Sequence, residues 1–111
     1  MNVPRIDLPR VVSEQSQDAS VIVLDCLTLW LSNLLMRELT SDQIFERTDE
    51  LIRSTQSAAC PIAIVTNEVG AGLVPDNALG RQFRDIAGNV NQRFAQAFDE
   101  VIMMVSGLPM V

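Results

Sequence analysis

The chain has 111 residues, fourteen acidic and eight basic, for a net charge of −6. That length suits one small domain rather than two, and the acidic balance argues against nucleic-acid or anionic-membrane binding. All eight bases are arginine and histidine is absent. These residues therefore hold no phosphate-loop lysine and no histidine base, nucleophile or metal ligand.

Cys26 and Cys60 lack metal-type spacing and read as small apolar fillers in a reducing cytosol. No run approaches a transmembrane span, and the first residues lack the apolar core of a signal peptide. The expectation is a cytoplasmic protein.

Residues 1–20 are polar and punctuated by Pro4 and Pro9, with a short amphipathic helix expected from near Pro9. Val21 to Asp25 is the first strand, its four apolar residues matching a strand buried on both faces. Asp25 closes it, either as a cap for the next helix or as an acid at a parallel strand end, where nucleotide-binding proteins hold Mg²⁺. A helix follows from Thr28 to about Arg37. Leu27, Leu31, Leu34 or Leu35, and Leu39 share one face, while Leu29, Trp30 and Met36 make other faces apolar. Such a helix is buried in a core or by a partner chain.

Thr40 and Gln43 offer a capping box, with a plain Ser41 cap as the alternative. The next helix runs to about Ala59, turning Ile44, Thr48, Leu51, Ile52 and Thr55 inward and Glu46, Arg47, Glu50 and Arg53 outward, and Pro61 ends it. Ile62 to Thr66 is the second strand, running into the loop Asn67-Glu68-Val69-Gly70-Ala71-Gly72. Two strands joined through helix, each ending in polar residues, predict a crossover unit of a parallel sheet. The loop glycines supply N–H groups for an anion or only shape a turn.

Asp76 caps a long helix to about Phe98, with Leu79, Phe83, Ile86, Val90, Phe94 and Ala97 at helical spacing. Val101 to Val105 is the third strand. Opposite the apolar stripe of the long helix lie Arg81, Arg84, Asp85, Gly88 and Gln92, with Asn91 close by. A mid-helix glycine costs about 1 kcal/mol against alanine. Either a ligand, loop or subunit approaches the backbone at Gly88, or the glycine is tolerated beside a weak Arg81–Asp85 pair.

Three blocks carry a resemblance. They are Asp25-Cys26-Leu27-Thr28-Leu29-Trp30-Leu31-Ser32-Asn33-Leu34-Leu35, then Val65-Thr66-Asn67-Glu68-Val69-Gly70-Ala71-Gly72-Leu73-Val74-Pro75-Asp76-Asn77, then Phe83-Arg84-Asp85-Ile86-Ala87-Gly88-Asn89-Val90-Asn91-Gln92-Arg93. In order and spacing, from about residue 21 onward, they resemble the bifunctional cobinamide kinase/cobinamide-phosphate guanylyltransferase family of cobalamin biosynthesis. The resemblance implies an α/β fold, a partial RecA-like P-loop NTPase fold with a mainly parallel sheet and flanking helices. It implies phosphorylation of adenosylcobinamide by a nucleoside triphosphate, then GMP transfer from GTP through a guanylylated histidine, in a homo-oligomer.

By the same resemblance Asp25 is the Walker-B-like acid for Mg²⁺ or nucleotide, and Asn67, Glu68, Arg84 and Asp85 are candidate nucleotide-binding positions. No catalytic residue is assigned, because the family's P-loop lysine and nucleophilic histidine have no counterpart here. The family pattern leads us to expect a single α/β domain over residues 1–111, the C-terminal two-thirds of a larger nucleotide-binding domain and inactive alone. A non-catalytic binding or assembly module derived from the family is the alternative. Some other P-loop kinase is a third reading, which the Thr66–Gly70 block argues against.

Overall fold

A computed structural model describes residues 8–66, 78–105 and 107–110. Two short runs of branched apolar residues form its central pairing, β1 (Ile22–Asp25) and β2 (Ile62–Val65). They are parallel and in register from Ile22 opposite Ile62 to Asp25 opposite Val65. The chain crosses between them through α2 (Leu27–Met36) and α3 (Ser41–Gln56), as a parallel pair requires. Before the pair comes α1 (Leu8–Gln15), and after it α4 (Ala78–Ala97).

The strands are half-buried, not buried on both faces as their apolar runs predict. Leu24, Ile62 and Ile64 lie against the helical core, whereas Val23 and Val65 are 56% and 43% exposed. The described helices cover one face only, so the alternate residues of each strand meet solvent.

The third strand also differs from expectation. β3 (Met103–Val105) is shorter than Val101–Val105 and pairs antiparallel with β4 (Leu108–Met110) in a separate hairpin. Gly107, at φ +80°, makes a turn there that a side chain would strain. Among the described residues the parallel sheet has two strands.

The core lies between helices. Leu27, Leu31 and Leu34 of α2 meet Ile44 and Leu51 of α3, Ile86, Val90 and Phe94 of α4, and Val12 of α1. α2 is not apolar-buried all round: Leu29 is 54% and Met36 80% exposed. Thr48 is fully buried among these residues, and its Oγ1 donates to the Ile44 carbonyl at 2.8 Å. Its hydroxyl thereby enters the core already satisfied. Ser16 does the same at the end of α1: its Oγ donates to Ser13 O and accepts from Ala59 N–H, both at 3.3 Å.

Local chemistry sets the helix ends. The capping box at α3 is complete: Gln43 N–H donates to Thr40 Oγ1 at 3.2 Å, and Thr40 N–H donates to Gln43 Oε1 at 2.8 Å. α2 ends in a Schellman pattern, with Glu38 N–H donating to Leu35 O at 2.9 Å and Leu39 N–H to Leu34 O at 3.4 Å. Glu38 occupies the left-handed position, φ 63°, where glycine is usual.

Two substitutions test these ends in opposite directions. Thr40→Ala is expected to lower unfolding free energy by about 1 kcal/mol through loss of the cap. Glu38→Gly is expected to raise it by roughly 1 kcal/mol by relieving the left-handed Cβ. Urea melts of both variants read the two shifts directly.

Candidate functional site at the strand ends

Because β1 and β2 run parallel in register, both deliver the chain to the same edge. Asp25 ends β1 with its side chain exposed, opposite Val65. The Asp25–Cys26 peptide is cis. The N-cap of α2 is Cys26, which makes no side-chain cap bond. Asp25 thus stands just ahead of the helix, not in its capping position, and the cap alternative falls away.

Three elements converge at this edge. Thr66, just past β2, donates from Oγ1 to Asn91 Oδ1 of α4 at 2.9 Å. Thr28, in the first turn of α2, lies with its Oγ1 at 3.4 Å from Thr66 Oγ1. A hydroxyl has one proton; with the Thr66 proton given to Asn91, the Thr66 oxygen is left to accept from Thr28. Sequence reasoning placed Thr66 at a strand end and Asn91 beside a polar helix face, and missed that the two meet. Pairing of residues 25 positions apart carries no local signal. A polar residue bordering an apolar helical stripe was the available hint.

The predicted site residues separate into groups. Asn67 and Glu68 lie outside the described residues. Arg84 and Asp85 are side by side on α4, with Arg84 Nη2 at 3.4 Å from Asp85 Oδ1. Asp85 is mostly exposed, so this contact contributes little. Arg84 precedes Asn91 by seven residues, two helical turns, and therefore shares its flank of α4.

The opposite flank of α4 faces α3. There Arg93 Nη1 donates to both Asp49 oxygens at 3.0 and 3.1 Å, and its Nε donates to Asn89 Oδ1 at 2.8 Å. Its guanidinium carbon sits 4.6 Å from the Phe45 ring centroid. An open groove of about 550 Å³ runs here, with Ile52 and Ala97 in its lining. Its arginine is spent on holding two helices together.

Among the described residues no three His, Cys, Asp or Glu side chains cluster to cage a metal. Asp25 is instead a single exposed carboxylate, a hard oxygen donor, at the strand end. That suits Mg²⁺, which binds through one or two carboxylates and takes its other ligands from phosphates and water.

At Gly88 an added Cβ would meet no atom within 4 Å among the described residues. No described side chain or loop therefore fills the space that the missing side chain leaves.

The family described as cobinamide kinase / cobinamide phosphate guanyltransferase matches residues 2–111. The chain is 46% identical over 99 residues to the bifunctional adenosylcobalamin biosynthesis protein CobU of Salmonella typhimurium, covering 78% of this chain and 55% of that protein. To the protein of the same description from Escherichia coli it is 38% identical over 100 residues, covering 79% and 55%. To CobP of Pseudomonas aeruginosa, likewise a bifunctional adenosylcobalamin biosynthesis protein, it is 34% identical over 103 residues, covering 93% and 59%. The chain thus spans little more than half the length of these relatives.

With open space around it, Gly88→Ala is expected to raise the stability of the chain by roughly 1 kcal/mol, the intrinsic helix preference of alanine. Thermal and urea unfolding check the sign.

Proposed function

The chain belongs to the cobinamide kinase / cobinamide phosphate guanyltransferase family, and from that premise we propose that it supplies the acid side of the nucleotide site in an enzyme acting on adenosylcobinamide. That enzyme phosphorylates its acceptor from ATP or GTP and then transfers GMP from GTP to the new phosphate. The observation that carries the reading is the exposed Asp25 at the shared edge of two parallel strands, the edge where Thr66 follows β2 and bonds Asn91 of α4. Ligands of open α/β sheets gather at that edge. The partial RecA-like fold and the role of these residues as one portion of a larger nucleotide-binding domain belong to the same proposal.

Asp25 is the group that would hold Mg²⁺. When bound, the ion neutralises charge on the phosphate oxygens. Asp25 supplies carboxylate oxygens from a strand end held by the parallel pairing. Asn67 and Glu68, next along the chain from Thr66, and Arg84 and Asp85 on α4 are proposed to contact the nucleotide. The lysine and histidine that such chemistry uses are absent from these 111 residues. The chain alone is therefore expected to turn over neither reaction.

We also propose that the complete enzyme self-associates, with Leu29 and Met36 on the contact. They lie seven residues apart on one exposed stripe of α2 and would lose water on association.

Calorimetry of this chain with MgGTP and MgATP is expected to show no micromolar binding; micromolar affinity would sink the claim that the chain is insufficient. In the complete enzyme, Asp25→Asn is expected to lower kcat about 100-fold or more, the scale of a lost electrostatic stabiliser. Wild-type rates in that variant would remove Asp25 from the site. Leu29→Glu is expected to shift the sedimentation profile towards smaller species, and an unchanged profile would move the contact elsewhere.

A further inference from the structure

Helix α4 has two polar flanks, and among the described residues one of them is closed by a neighbouring helix. The Arg93 flank is closed on α3 by Asp49 and the Phe45 ring, with Asn89 of α4 itself accepting from Arg93 Nε. The other flank carries Arg84, Gly88 and Asn91. At about 100° per residue these three fall within one narrow stripe.

Asn91 fixes where that stripe points. Its bond to Thr66 sets it along the edge where β1 and β2 end, the edge that holds Asp25. Oδ1 accepts the Thr66 proton, so the amide keeps two N–H donors on Nδ2 for anything else that approaches. At the other end of the stripe is a guanidinium, with five N–H donors in a planar fork. The Asp85 contact at 3.4 Å is long for a charged pair and too exposed to hold Arg84 fast.

Between these donors stands a residue with no side chain. Gly88 has no described atom where a Cβ would sit, so internal packing among the described residues does not explain a helix-interior glycine. A close ligand does. Donors at both ends and bare backbone in the middle select an oxygen-rich anion, not a cation or an apolar group.

We propose that Arg84, Gly88 and Asn91 form a notch in α4 that seats a phosphate ester against the helix backbone. Arg84 and Asn91 grip its oxygens, and Gly88 admits it. The proposal rests on the transferase reading. The ester is carried either by the guanine nucleotide or by the phosphorylated acceptor.

Two variants separate ligand contact from folding. Gly88→Ala fills the notch where nothing in the described fold is displaced. Asn91→Asp keeps an oxygen for the Thr66 proton but replaces the N–H donors with a negative charge. The complete enzyme containing these residues is titrated with GMP and, separately, with cobinamide phosphate, alongside thermal melts and turnover.

Both variants are expected to bind one of the two ligands at least tenfold more weakly. Gly88→Ala should melt no lower than wild type. The ligand affected identifies the source of the ester. Binding of both ligands within twofold of wild type in both variants overturns the notch, as does weakening that merely tracks a fall in melting temperature. A wild type that binds but does not turn over refutes the transferase reading and leaves the notch decided by the titrations. A wild type that binds neither ligand refutes both.

Discussion

The site depends on one constraint, the in-register parallel pairing of β1 with β2. Parallel strands share a direction, so their C-terminal ends open onto one edge. Asp25 arrives there opposite Val65, and Thr66 arrives one residue later. A slip of one residue would turn Leu24 and Ile64 from the helical core towards water. The apolar fit of Leu24, Ile62 and Ile64 against the helices therefore also positions the carboxylate. Core packing and the placement of Asp25 are fixed by the same register.

Helix α4 meets this edge at a set angle of rotation. Ile86, Val90 and Phe94 are buried against α2 and α3, which leaves the helix no freedom to roll. Arg93 adds a polar clamp on one side, through Asp49 on α3. Thr66 adds a second on the other, through Asn91. The helix is held between these two contacts, and the intervening surface presents Gly88. A ligand at the strand ends would meet a wall that is already oriented, so little entropy is lost in shaping it.

Much of this was legible in the residues alone. The period of Phe83, Ile86, Val90 and Phe94 identifies α4 and its buried face, and the Thr40–Gln43 pair marks the start of α3, because both signals are local. The crossover between strands follows from polar residues after each apolar run. The role proposed for Asp25 was suggested by its place at a parallel strand end and favoured by the resemblance of long blocks to a family. Three things were not legible. Apolar runs cannot say whether a second layer of structure covers them, so Val23 and Val65 read as buried and are half in water. Val101 to Val105 has strand composition, but composition does not choose its partner, and the partner is β4. The Thr66–Asn91 bond joins residues distant in the chain, and nothing at either position announces the other.

The one-sided sheet has a consequence for the chain as a solution species. On the outer flank of β1 and of β2 no further strand is paired among the described residues. Each flank offers a row of backbone N–H and C=O groups next to the bare face that carries Val23 and Val65. Such a border is a template for strand addition, and the most abundant strand in a concentrated sample is another copy of the same sequence. Opposing this is the net charge of −6, which keeps copies apart and is screened as salt rises. The colloidal behaviour of the chain is thus set by a contest between an open border and an acidic surface, and ionic strength decides it.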